Sequence, residues 1–89
     1  MPTRTVNVAS RVGLHARPAS LFVRAVTATG LPVTIAKGEG NPVDARSILL
    51  VMGLAVDNND EVTLAAEGEN ADTTLDQLVE LLKIDHDAS

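Results

Sequence analysis

Residues 5–26 read TVNVASRVGLHARPASLFVRAV, and the hydrophobic period changes part-way along them. Val6 and Val8 alternate with Thr5 and Asn7, the pattern of a strand that buries one face, so residues 5–10 are expected to be extended. Beyond Gly13 the spacing lengthens. Ala19, Phe22, Val23 and Val26 recur at i, i+3, i+4 and i+7, the stripe of one helix face, with Arg17, Ser20, Arg24 and Thr27 opposite. Gly30, with Pro32 soon after, is a stop signal for that helix. Leu21 fits the polar side poorly, which marks it as an edge residue or as part of a contact surface.

Outward from this stretch the same two periods repeat. LPVTIAKGEGNPVDA (residues 31–45) reads as a strand over residues 33–37, a turn over 38–41 and a short return strand. No helix follows the Gly38-Glu39-Gly40 sequence directly, so it is a hairpin turn and not a phosphate loop. In SILLVMG (residues 47–53), Ser47 suits an N-cap and Gly53 a helix stop. Ile48, Leu49, Leu50, Val51 and Met52 between them are apolar on every side. A surface helix buries only one side, so the surplus predicts an exposed apolar patch of the kind that marks a partner site. A fully buried helix or strand is the alternative.

Val62, Leu64 and Ala66 alternate as a further strand, and Asn70 and Asp72 suit the start of a last helix. That helix carries an apolar stripe of Leu75, Leu78, Val79 and Leu82, with Asp76, Glu80 and Lys83 outside. His86 lies in a polar, acidic tail and is expected to be solvated and frayed. The order strand, helix, strand, strand, helix, strand, helix predicts an α+β domain, with helices over one face of a mostly antiparallel sheet. The 89 residues are expected to form a single domain, 1–89.

Composition narrows the function. Phe22 is the sole aromatic residue, which argues against base-stacking platforms, and the net charge of −5 works against binding along a phosphate backbone. Nucleic acid is therefore not an expected partner, although a small positive site for a small anion remains open. With no cysteine there is no disulfide framework and no thiolate chemistry. The N-terminal residues show no apolar signal region, and the longest apolar run, residues 48–56, is too short to span a bilayer. A cytoplasmic chain without membrane insertion is the expectation.

The chemistry concentrates in His15-Ala16-Arg17-Pro18. Pro18 is comfortable in a first helical turn, where its missing N–H would have had no partner. That places His15 at or just before the N-cap, facing the free backbone N–H groups of Ala16 and Arg17 and the positive end of the helix dipole. Such a terminus suits a phosphate, and the Arg17 guanidinium can bind two phosphate oxygens at once. The same dipole disfavours imidazolium, so His15 keeps a lone pair near neutral pH. A neutral ring nitrogen can attack phosphorus, and transfer then needs mainly positioning and charge stabilisation. A phosphoramidate is labile, which suits a group that is handed on. Taken alone, the pattern also fits a capping or surface histidine. No second His, Asp or Glu stands nearby in sequence to complete a metal site or a triad, so neither metal nor cofactor is expected.

GLHARPAS (residues 13–20) resembles, at every position, the active-site signature of the HPr phosphocarrier family of the bacterial phosphotransferase system. DARSILLVMGLAV (residues 44–56) resembles the segment that carries this family's regulatory serine and short second helix. The resemblance extends over nearly the whole chain. It implies an HPr-like open-faced sandwich, βαββαβα, with a four-stranded antiparallel sheet and three helices on one face. It further implies that His15 receives phosphate on Nδ1 from enzyme I, itself charged by phosphoenolpyruvate, and passes it to the enzyme IIA component of a sugar transporter. Arg17 would pair with the phosphoryl group beside the helix N-terminus at Ala16, Arg17 and Pro18. The second helix and the exposed side of the first would dock both partners, through Ser20, Leu21, Ile48, Leu49 and Val51.

Ser47 matches the serine that a dedicated kinase (HPr kinase/phosphorylase) modifies in many Gram-positive relatives, blocking carriage and permitting co-repressor binding. A phosphate there would put negative charge amid the docking patch. The chain departs from many relatives at residues 53–56, where GLAV stands in place of Ser-Leu-Gly and an apolar residue, and in its hairpin KGEGNPVD. These departures bear on subfamily and leave the signature intact. The implied protein is a monomeric stoichiometric carrier rather than an enzyme. The rivals are a nitrogen- or fructose-type paralogue and an interaction module never phosphorylated on His15.

Overall fold

A computed structural model describes residues 2–10, 13, 14 and 16–84; His15 and the tail histidine His86 lie outside the described residues. The elements follow the expected order: β1 Thr3–Asn7, α1 Ala16–Thr29, β2 Val33–Lys37, β3 Val43–Asp44, α2 Ile48–Gly53, β4 Glu61–Ala66 and α3 Ala71–Leu82. The four strands form one antiparallel sheet in the order β1-β4-β2-β3. β4 is thus central, pairing Val6 with Val62 on one side and Ile35 with Leu64 on the other.

Alternation along the strands separates two faces. Val6, Val33, Ile35, Val62, Leu64 and Ala66 are buried on the face under the helices, while Thr3, Thr5, Asn7 and Glu61 are exposed on the other. α1 contributes Ala19, Phe22 and Val26 to the core, and α3 contributes Leu75, Leu78 and Leu82. Phe22, fully buried, is the largest side chain in this otherwise aliphatic core. Arg4, on the helix-covered face of β1 near its start, ties that strand to α3 through Asp72 and Asp76, each at 3.0 Å. Among the described residues no helix is long and apolar enough to cross a membrane.

One local detail differs from expectation, and two others are refined. β1 begins at Thr3 and ends at Asn7 instead of running to residue 10. Val8 keeps the alternation and is buried, but Ala9 already turns away, donating its N–H to the Leu82 carbonyl at the end of α3 (3.0 Å). Gly53 closes α2 as its last helical residue, as expected, and a left-handed conformation follows two residues later at Ala55, at φ +56°. Asn70 and Asp72 start α3 as expected: Asn70 is its N-cap at φ +67°, without a side-chain capping hydrogen bond, and the Asp72 carboxylate in the first turn is turned to Arg4.

Candidate functional site

The approach to α1 is built against the loop before β4. Gly13 donates its N–H to the Ser10 carbonyl, and Leu14 donates to Val56, both at 3.0 Å. Leu14 is fully buried. Gly13 sits at φ +66°, and a β-carbon there would collide with the Val56 carbonyl and lie 2.6 Å from Asp57 Cα. Only glycine fits this position, for both conformation and space. The helix then starts at Ala16. Helix geometry leaves the Ala16 and Arg17 N–H groups without a carbonyl one turn back, while Pro18, third in the helix, has no N–H. Arg17 is exposed and Pro18 buried, so the first turn is anchored by the proline and presents the arginine.

A second feature lies on α2, which packs on α1. Asp44 accepts hydrogen bonds from the Arg46 backbone (2.9 Å) and guanidinium (3.1 and 3.2 Å), closing a tight turn ahead of the helix. Those bonds, chiefly the guanidinium's, hold the Asp44 carboxyl below the usual carboxylate range. Ser47 caps the helix: its Oγ accepts the Leu50 N–H at 3.3 Å, and its carbonyl accepts the Val51 N–H at 3.0 Å. Leu49 is 81% exposed and Leu50 47%, with Ile48 and Met52 close behind at 39% and 37%. Four large apolar side chains on so short a helix are the exposed surplus that the sequence foretold.

The sequence matches the family model described as "PTS HPr component phosphorylation site" over residues 2–83. The chain belongs to the HPr phosphocarrier family. It is 54% identical over 82 residues to the phosphocarrier protein HPr of Streptomyces coelicolor, covering 92% of this chain and 88% of that one. The crystal structure of an HPr from Thermoanaerobacter tengcongensis (HPr-C-His) superposes with a TM-score of 0.86 at 34% identity, covering 93% of this chain and 92% of that one. A Bacillus anthracis phosphocarrier HPr gives 0.85 at 33% identity, over 91% and 95% of the two chains. An HPr-family phosphocarrier serves the phosphotransferase system, which gives the exposed surface protein partners to meet.

Set on this HPr frame, the expected site residues divide. Arg17 and Pro18 stand in the first turn of α1; Ser20 and Leu21 follow on the same helix, both half-buried. Ser47 caps α2, and Ile48 and Leu49 are exposed on it. Val51 must be withdrawn from the docking surface, because its side chain is 0% exposed and belongs to the core. The signal for that was available: Val51 and the half-buried Leu54 are three residues apart and share a helix face, which turns Leu50 and Met52 outward in its place.

A feature that no sequence motif marked is the bracing of residues 55–60. Lys37 Nζ donates to the Ala55 carbonyl at 3.0 Å and stands 3.3 Å from Asp60 Oδ2. The Asp60 carboxylate accepts the Asp57 N–H at 2.9 Å. That backbone hydrogen bond, aided by the Lys37 ammonium, holds the Asp60 carboxyl below the usual carboxylate range. Lys37 and Asp60 lie 23 residues apart in sequence, so local spacing carries no trace of the contact.

Proposed function

We propose that this chain, as one carrier domain, accepts a phosphoryl group on His15 from enzyme I and delivers it to enzyme IIA components of a sugar phosphotransferase system. The observation that carries this reading is the full family signature, residues 13–20, set at the start of an amphipathic helix in a chain that matches the family over residues 2–83. An unprotonated Nδ1 of His15 forms the new N–P bond as the bond from phosphorus to the donor's leaving atom breaks. The electron pair of that bond stays with the donor. The positive end of α1 favours the incoming phosphoryl group, and the Arg17 guanidinium, exposed beside it, neutralises its oxygens.

The reverse geometry at an enzyme IIA component completes the cycle, so the chain is a stoichiometric carrier and not a catalyst. It works as a cytoplasmic monomer, a state that sedimentation equilibrium checks. Docking falls to Ser20 and Leu21 on α1 with Ile48 and Leu49 on α2, joined by Leu50 and Met52. A small apolar patch without aromatic anchors suits partners that must leave quickly. Ser47, half-buried at the cap beside this patch, is the regulatory position, read by an HPr kinase/phosphorylase where the host has one. Incubation with phosphoenolpyruvate, magnesium and enzyme I tests the acceptor role. Intact mass should show one acid-labile phosphoryl group on the wild type and none on His15→Ala; equal labelling of both would remove His15 from the reading.

A further inference from the structure

Between β1 and α1, Val8, Ala9, Ser10 and Leu14 are bound by the loop at residues 55–60. Val8 exchanges backbone hydrogen bonds with Asp60 and Asn59, at 3.0 and 2.8 Å, and Leu14 closes the other end on Val56. Between these points one side chain bridges the gap. Asn58 Nδ2 donates to the Ala9 carbonyl at 3.2 Å and to the Ser10 carbonyl at 3.1 Å, using both hydrogens of its amide. Ser10 also accepts the Gly13 N–H, so the Asn58 amide grips the turn that aims the chain at α1. The loop that carries Asn58 is itself held to β2 by Lys37, through the Ala55 carbonyl and Asp60.

We propose that Asn58 is a positioning residue for phosphoryl transfer, its paired hydrogen bonds to Ala9 and Ser10 setting where the chain enters α1 and hence where position 15 meets the donor. This rests on the reading of His15 as phosphoryl acceptor. The physical ground is the steep dependence of group transfer on alignment: a displacement of about 1 Å costs about 10²-fold in rate. Asn58 lies outside α2 and directs these hydrogen bonds to Ala9 and Ser10, so its loss is expected to leave the docking residues in place.

The test is steady-state phosphorylation by enzyme I of wild type, Asn58→Ala and the isosteric Asn58→Asp, which keeps the shape and removes both donors. Arg4→Met, which cuts the ties to Asp72 and Asp76, serves as a control for stability alone. Both Asn58 variants should lose about tenfold or more in kcat while KM for the carrier stays within about twofold. Arg4→Met should lower the melting temperature with kcat unchanged. A folded Asn58 variant with wild-type kcat would overturn the proposal, as would an equal fall in kcat for Arg4→Met or failure of both Asn58 variants to fold. Phosphorylation of His15→Ala in the same assay would instead show the acceptor reading itself to be wrong, and the proposal would fall with it.

Discussion

Gly13 lies against Val56 so closely that no side chain fits between them, and the next residue, Leu14, donates its N–H to that same carbonyl at 3.0 Å. The contact joins the segment before α1 to the loop before β4. Gly13→Ala should therefore cost both left-handed strain, about 1–2 kcal/mol, and overpacking, about 1–3 kcal/mol. Gly30 has a similar φ, +71°, but open space around its α-carbon. Gly30→Ala should lose only the strain contribution, about 1–2 kcal/mol. Urea unfolding of the two variants separates these contributions, and equal losses would contradict the close approach at Gly13.

Ala55 is an alanine where glycine is the easier residue. At φ +56° its β-carbon is strained by about 1–2 kcal/mol, partly offset by the lower entropy of an unfolded alanine. Ala55→Gly should raise stability by about 0.5–1 kcal/mol and leave phosphoryl uptake unchanged, since the carbonyl bonded to Lys37 is retained. A lower urea midpoint would mean the loop carries no such strain.

Much of this architecture is legible from periodicity. The alternation at Val62, Leu64 and Ala66 and the stripe Leu75, Leu78, Leu82 are buried as expected, because each element needs only one covered face. α2 was harder. Its six residues are apolar throughout, so period alone separates inside from outside weakly, and Val51, expected on the docking surface, is buried. The end of α2 at Gly53 is legible, whereas the positive φ at Ala55 is not, because glycine is its usual bearer. Asn58 and the Lys37–Asp60 pair left no local signature, since their partners are distant in the chain. Of the site, the residue types are plain in the signature itself, whereas the bracing behind it is a property of the fold.

Ser47 combines a cap with a place beside the exposed patch, and two substitutions separate the roles. Ser47→Ala removes the acceptor for the Leu50 N–H and should cost about 1 kcal/mol in stability, with little effect on phosphoryl uptake. Ser47→Asp keeps a capping oxygen, so its stability should stay near wild type, while its charge beside Ile48 and Leu49 raises KM for the carrier several-fold. Melting curves and steady-state rates on both variants give the comparison. A Ser47→Asp protein with wild-type KM would place the cap outside the docking surface.

Asp44 and Asp60 both titrate below their ordinary range in the folded protein. A carboxyl depressed on folding stabilises the protein above its unfolded value of about 3.9, and that contribution fades as pH falls through the folded value. Stability should hold near pH 6 and drop in the region below about pH 4. Asp60→Asn should be less stable than wild type at pH 6 and converge on it in strong acid. Urea midpoints across this range check the sign, and a constant gap at every pH would exclude the Asp60 carboxylate as its source.

The central claim is carriage: the group gained must also be given up to the next protein. The direct measurement charges the chain with ³²P from labelled phosphoenolpyruvate, removes enzyme I, and adds the enzyme IIA component of the same organism. Label should leave this chain and arrive on enzyme IIA in equal amount, with Arg17→Ala slower in both directions and folded as wild type. Label that stays on the chain, or leaves it only as inorganic phosphate at the rate seen without enzyme IIA, would contradict the account.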